Sequence, residues 1–358
     1  MNFRQGIEKI TGLDAAAVEA ARNYQHALAK PAGSLGTLEE ISIQIAGITG
    51  KVKNTAEKKM HYLFGADNGV YAEGVAATPQ DFTRKLLCHY AAGIGCGINV
   101  LCENHQVELR LVDMGVIGGP ISGTKNCRLM ENGTFNFRIR EAIPPDIVEK
   151  AIQIGFDCAA QAKQDGCNLL GNGEVGMANT TTAAACIMAA LEIKDPELAV
   201  GRGAGLTDEA FARKKLVIAD GLRLHHPDPK NPADILSKVG GLDIAAMCGL
   251  YLGAAYYRIP IVIDGLISIA AALLAVIFCP AARDFMIASH ISAEPGYRIA
   301  SEALKLTPAL CLGMRLGEGS GCPVMMGIID DALAVINRMS TFAEAELETG
   351  YRSSLQMH

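Results

Sequence analysis

The sequence predicts an α/β domain built on a mostly parallel sheet of about six strands, and three observations predict it. From about residue 60, short apolar runs alternate with longer helical stretches, the spacing of βαβ units. Each apolar run ends in a loop rich in Gly, Asp, Ser or His. Half of the 358 residues are hydrophobic and only a fifth are charged, enough to cover both faces of such a sheet.

The elements follow in order. The opening MNFRQGIEKI is amphipathic and charged throughout, so no signal peptide is expected and the expected compartment is the cytoplasm. Residues 15–29 are alanine-rich and predict a helix. PAGSLG at 31–36 breaks it, and Thr37 reads as the N-cap of a second helix with Glu39 and Glu40 in its first turn. Strands are expected at 61–65, 108–112, 198–201, 260–263, 285–288 and 309–312. Residues 223–234, with His225, His226 and three prolines, read as a surface loop. Residues 265–280 are short for a membrane span and lie between Asp264 and Pro280, so they read as a buried helix after a buried strand. Residues 330–348 carry the stripe Leu333, Val335, Ile336 and Met339 of an amphipathic helix. The expected division is a small helical subdomain from 1–58 and 330–358, and an α/β catalytic domain at 59–329.

Composition narrows the function. The net charge is −6 and no basic cluster dominates any stretch, so no nucleic-acid partner is expected, nor a membrane. Eleven cysteines stand singly without a C-x-x-C, which suits buried free thiols in a reducing compartment. No H-E-x-x-H or metal-spaced His/Cys set occurs, so no metal site is expected.

The strand-end loops carry the chemistry. Gly317-Glu318-Gly319-Ser320-Gly321 sets a carboxylate among glycines, a catalytic arrangement or a plain turn with a solvated glutamate. Gly171-Asn172-Gly173-Glu174-Val175-Gly176 runs through Asn179 and Thr180 into an apolar helix, where amides and hydroxyls suit an anion or simply cap the helix. Gly201-Arg202-Gly203-Ala204-Gly205 resembles a phosphate cradle but lacks a dinucleotide fingerprint or Walker lysine, which disfavours a nicotinamide dehydrogenase. Lys214 and its neighbours read as a phosphate partner or a solvated patch. Ser289-His290 follows a strand; adjacent residues on a strand point oppositely, so a hydroxyl donor to phosphate is expected rather than a dyad.

With these motifs in view, the sequence resembles the nicotinate-nucleotide–dimethylbenzimidazole phosphoribosyltransferase family. The carrying stretches include KPAGSLG at 30–36, GADNGV from 65, GEVGMANTTTAAA at 173–185, GRGAGLTDE at 201–209, ASHISAEPG at 288–296 and LGMRLGEGSG at 312–321, in order along nearly the whole chain. The resemblance implies a Rossmann-like sheet with a helical bundle from both termini, and usually a homodimer. It implies transfer of ribose phosphate from nicotinate mononucleotide to an aromatic acceptor, supplying the lower ligand of a cobamide, with no cofactor. Glu318 is implied as catalytic base. Glu174, Gly176, Asn179, Gly201, Gly203, Lys214, Ser289 and Leu316 are implied at the nucleotide and its phosphate. Gln80, Asn68 and Ala76 are implied at the acceptor pocket. Many members have histidine where this chain has Asn68, and serine and an aromatic are common around Ala76, Ala77 and Thr78. Those departures leave benzimidazole and phenolic acceptors both open, as well as a heterodimer in which this chain is a non-catalytic subunit.

Overall fold

The computed structural model describes residues 1–348; the last ten residues of the expected helical subdomain lie outside the described residues. Six strands form one sheet: β1 (Lys59–Ala66), β2 (Val107–Gly115), β3 (Lys125–Asn126), β4 (Leu169–Val175), β5 (Ile261–Ile263) and β6 (Met286–Ala288). Every neighbouring pair is parallel, in the order β3-β2-β1-β4-β5-β6. The order reverses between β1 and β4, so the crevice at their carboxyl ends is where a parallel sheet binds its ligand.

Period-two alternation places the core. Met60, Tyr62 and Phe64 of β1 join the larger apolar cluster on one face, while Leu63 joins Val262, Ile287 and Met325 on the other. The larger cluster depends on one close helix pair. Gly155 of the Pro145–Gln164 helix meets the Ala246 carbonyl, and Gly249 of the Leu242–Tyr256 helix meets the Ile152 carbonyl. Neither position has room for a Cβ, so the two backbones touch. The expected buried helix after β5 is Leu266–Phe278. Among the described residues no helix is long and apolar enough to cross a membrane.

Several expected elements differ. Residues 198–201 are not a strand; Pro196–Ala199 is a helical turn, because Asp195 caps the Glu197 N–H at 3.0 Å and Pro196 pre-sets the first turn. Residues 309–312 form only a single bridge, Leu310 with His290. Conversely, β4 occupies what reads as a glycine loop from Gly171. Glycines are tolerated inside it because other groups fill their space: the His61 ring lies beside Gly171, and the Glu318 backbone lies against Gly173. The second helix begins at Thr37, but Gly36 stands at its N-cap and Thr37 caps nothing. Glu39 instead reaches back to the Leu35 N–H at 3.0 Å and pairs with buried Lys30 at 2.7 Å. The 223–234 loop shrinks, since Asp208–His225 and Pro232–Val239 are helices. Among the described residues the last helix is Gly321–Arg338 rather than 330–348, because its apolar stripe starts at Cys322 and covers the sheet. Both termini meet beyond it: the Ala29 N–H donates to the Ser340 carbonyl and the Phe342 N–H to the Ala27 carbonyl, each at 2.9 Å.

Candidate active site

Glu174 is the penultimate residue of β4, and the chain then turns through Ala178, held at φ 71°, into the Asn179–Ala190 helix. The Asn179 amide donates to the Glu174 carboxylate and, at 3.1 Å, to Asp243 Oδ2. Two buried carboxyl groups thus share one amide. Burial, then the charge of Asp243, pushes the Glu174 carboxyl up to about 8; burial likewise pushes Asp243 up to about 6. Glu174 therefore holds a proton over much of the neutral range.

Glu318 faces Glu174 from a different kind of backbone. Gly317, Glu318 and Gly319 run at φ 80°, 62° and 77°, a left-handed turn that costs a non-glycine residue strain. Gly319 packs against the His61 ring too closely for any side chain. The Gly317 carbonyl accepts from the Ser320 N–H at 3.0 Å and leads into the Gly321–Arg338 helix. Burial raises the Glu318 carboxyl above the ordinary glutamate range, and the Tyr90 hydroxyl opposes that rise.

The cleft between these carboxylates has two unlike ends. At one, Gly203 turns at φ 56° and its N–H donates to Glu294 Oε1 at 2.8 Å. Thr180 and Arg202 lie beside it, and Arg315 lines the same cleft. Behind it the fully buried Lys214 ammonium donates to Thr180 Oγ1 and to the Gly201 carbonyl, both at 2.9 Å. Burial pulls its pKa down to about 8. The other end is apolar: Val75, Ala76, Leu86, Met177 and Leu316. Its one hydroxyl, on Thr78, is engaged with the Met177 sulfur at 2.7 Å.

Of the residues singled out from sequence, Glu318, Glu174, Gly176, Asn179, Gly203, Leu316 and Ala76 line this cleft. Gly201, Lys214 and Ser289 lie in the layer behind. Ser289 is fully buried, and its hydroxyl bonds the His290 Nδ1 at 3.0 Å. The two side chains do meet, contrary to the expectation, because β6 stops at Ala288 and strand alternation ends there. Asn68 and Gln80 are not on the wall. Asn68 is fully buried beneath the β4 loop, where its amide reaches the Met177 carbonyl at 3.4 Å. The Gln80 carbonyl accepts from the Thr83 N–H at 3.2 Å in the turn before the Phe82–Ala91 helix, and Leu86 of that helix is the residue at the wall. Sequence reasoning also passed over Asp264, His290, Glu294 and Arg315 as site residues. Asp264, His290 and Glu294 stand in the loops after β5 and β6, the one cue that pointed to them, and Arg315 stands in the segment before the Gly321–Arg338 helix. Among the described residues no cluster of His, Cys, Asp or Glu is placed to hold a metal ion.

Comparison with known proteins gives this geometry a family. A family model described as "Phosphoribosyltransferase" matches residues 10–347. The chain is 41% identical over 349 residues to the nicotinate-nucleotide–dimethylbenzimidazole phosphoribosyltransferase of Clostridium tetani, covering 96% of this chain and 95% of that one. It is 43% identical over 342 residues to that of Chloroflexus aggregans, covering 95% and 96%. A crystal structure of the Thermus thermophilus enzyme superposes with a TM-score of 0.88 at 35% identity, covering 94% of this chain and all of that one. The family model spans residues 10–347 and the relatives cover about the same share, and the chain belongs to the nicotinate-nucleotide–dimethylbenzimidazole phosphoribosyltransferase family.

Proposed function

We propose that this chain transfers ribose phosphate from nicotinate mononucleotide to an aromatic base of the dimethylbenzimidazole class, releasing nicotinate and giving an α-ribosyl phosphate for a cobamide lower ligand. The observation that carries the reading is the position of Glu318. It stands on the wall of one cleft whose lining includes apolar side chains that suit a flat ring and Gly203, Thr180 and arginines that suit phosphate.

In the proposed reaction the acceptor atom forms a bond to the ribose anomeric carbon as the bond to the pyridinium nitrogen breaks. The electron pair of that bond returns to the ring, so nicotinate leaves without needing a proton. The acceptor's own proton goes to Glu318, help typically worth about 10²–10⁴-fold. Attack opposite the leaving ring inverts the anomeric carbon. Holding the two rings on opposite faces of one sugar adds a proximity term. Glu174, protonated and steadied by Asn179, donates to the nucleotide rather than repelling its phosphate. Gly201, Gly203, Lys214 and Ser289 are proposed to shape the phosphate end. The pocket for the acceptor is proposed at Ala76, Thr78, Leu86 and Met177, with Asn68 acting through the Met177 backbone.

The working unit is proposed to be a dimer in the cytoplasm, with the terminal helices forming a small subdomain that shares the Gly321–Arg338 helix with the sheet. Purified protein given nicotinate mononucleotide and a panel of dimethylbenzimidazole, adenine and p-cresol is expected to release nicotinate fastest with dimethylbenzimidazole, the product being read by mass spectrometry. Fastest release with p-cresol would move the acceptor to the phenols. No release with any of them, alone or with a homologous subunit, would overturn the reading.

A further inference from the structure

The Phe82–Ala91 helix buries Thr83, Leu87 and Tyr90, a stripe at i, i+4 and i+7 that faces the sheet. Tyr90 is held firmly at its end. Its carbonyl accepts from the Gly93 N–H at 3.2 Å and from the Asn99 amide at 3.1 Å, which ties it to the Gly97–Asn104 helix. Its ring is buried, and its hydroxyl is buried without a hydrogen-bond partner. The group it faces is the Glu318 carboxylate, whose Oε2 is buried and equally short of partners. That oxygen lies over the start of the Gly97–Asn104 helix, 3.8 Å from where a Cβ on Gly97 would stand, with the Ile98 N–H directed at the carboxylate.

A buried hydroxyl and a buried carboxylate oxygen, each without a partner within hydrogen-bond distance, gain by closing on each other, because leaving either unmade costs its full desolvation. We infer that Tyr90 is a positioning residue for Glu318: its hydroxyl, with the Ile98 N–H, grips Oε2 so that Oε1 is presented to the incoming acceptor. The left-handed turn sets where the Glu318 backbone sits; Tyr90 sets which way its carboxylate faces. This rests on Glu318 being the base.

The grip also bears on protonation. The titratable groups around Glu318 are Tyr90, Cys96 in the loop before the Gly97–Asn104 helix, Glu174 at the end of β4 and Asp264 after β5, with His61 beneath its backbone. Burial and Asp264 favour the protonated carboxyl, and of these side chains Tyr90 alone favours the charged form. Without the hydroxyl, Glu318 retains its proton to higher pH.

The test is Tyr90→Phe, which removes one oxygen and keeps the ring. Nicotinate release is followed across pH with saturating dimethylbenzimidazole, beside Glu318→Gln in the same assay. The expected result is a kcat about 10-fold lower at neutral pH, an acid limb displaced to higher pH, a deficit that shrinks as pH rises, and a KM for nicotinate mononucleotide within about twofold. An unchanged kcat and acid limb while Glu318→Gln is inactive would overturn the inference and leave the base standing. A loss that is independent of pH and accompanied by a raised KM would overturn it too, by reducing Tyr90 to packing. Full activity in Glu318→Gln would remove the base, and this inference with it.

Discussion

Glu174 and Glu318 are the same residue type on facing walls of one cleft, and their surroundings give them opposite habits. Glu174 stands near the end of a fully buried strand, shares an amide with a second carboxyl and holds its proton up to about 8. Glu318 stands in a left-handed turn, where burial raises its carboxyl while a hydroxyl and an N–H favour its charge. On the proposed reading, one serves as a donor and the other as an acceptor of protons. Two carboxylates that both ionised in this space would repel each other and any phosphate brought between them.

The sharpest way to break this contrast is Glu318→Gln, which keeps shape and removes basicity. Turnover should fall by about 10²–10⁴-fold, with nicotinate mononucleotide binding by calorimetry little changed. Unchanged turnover would take the proton-accepting role from Glu318. Next in size is Lys214→Met. Losing a buried ammonium behind the phosphate end should weaken nucleotide binding by about 10–100-fold, read by the same calorimetry. Because Lys214 is pulled down to about 8, nucleotide binding by the unaltered protein should also take up protons between about pH 8 and pH 9, visible as a dependence of binding heat on buffer. No such dependence would mean that the ammonium is not reached by the ligand's charge.

The proton on Glu174 is tested by stability. Its carboxyl is raised from 4.5 to about 8 by folding, so the native state binds more protons than the unfolded one between those values. Stability is therefore highest below pH 4.5 as far as this group is concerned, and is lost as pH rises toward 8. Glu174→Gln cannot lose that proton. It should melt higher than the original protein, by a margin growing from pH 5 to pH 8 and on the order of a few kcal/mol at most. A margin that stays flat across that range would show that Glu174 is ionised in the folded state. The smallest effect belongs to the apolar end. Leu86→Ala should change the ratio of kcat/KM between dimethylbenzimidazole and a smaller acceptor by about 10-fold and leave the nucleotide KM alone. An unchanged ratio would move the acceptor elsewhere in the cleft.

Much of this was legible beforehand, unevenly. Residues 61–65 and 260–263 read as strands because an apolar run bounded by polar loops has few alternatives in a chain this hydrophobic. The segment from Gly171 did not, since its glycines break the pattern; they are tolerable only because His61 and the Glu318 backbone, far away in sequence, fill the space. Glu318 stood out through its glycines. Tyr90 did not, because a tyrosine on an apolar helical stripe looks like core until its hydroxyl is seen against a carboxylate more than two hundred residues away. Asn68 misled in the other direction: its loop borders the cleft, but the side chain turns inward under Met177.

The sequence by itself determined the parallel sheet, the edge on which its loops gather and the family to which they belong. These follow from periodicity and from short motifs whose residues are neighbours along the chain. Only the tertiary structure decided which carboxyl keeps its proton, which side chains reach the cleft and which stand one layer behind it. Burial and pairing arise between residues distant in sequence, and a proton's affinity depends on those surroundings rather than on the residue that carries it.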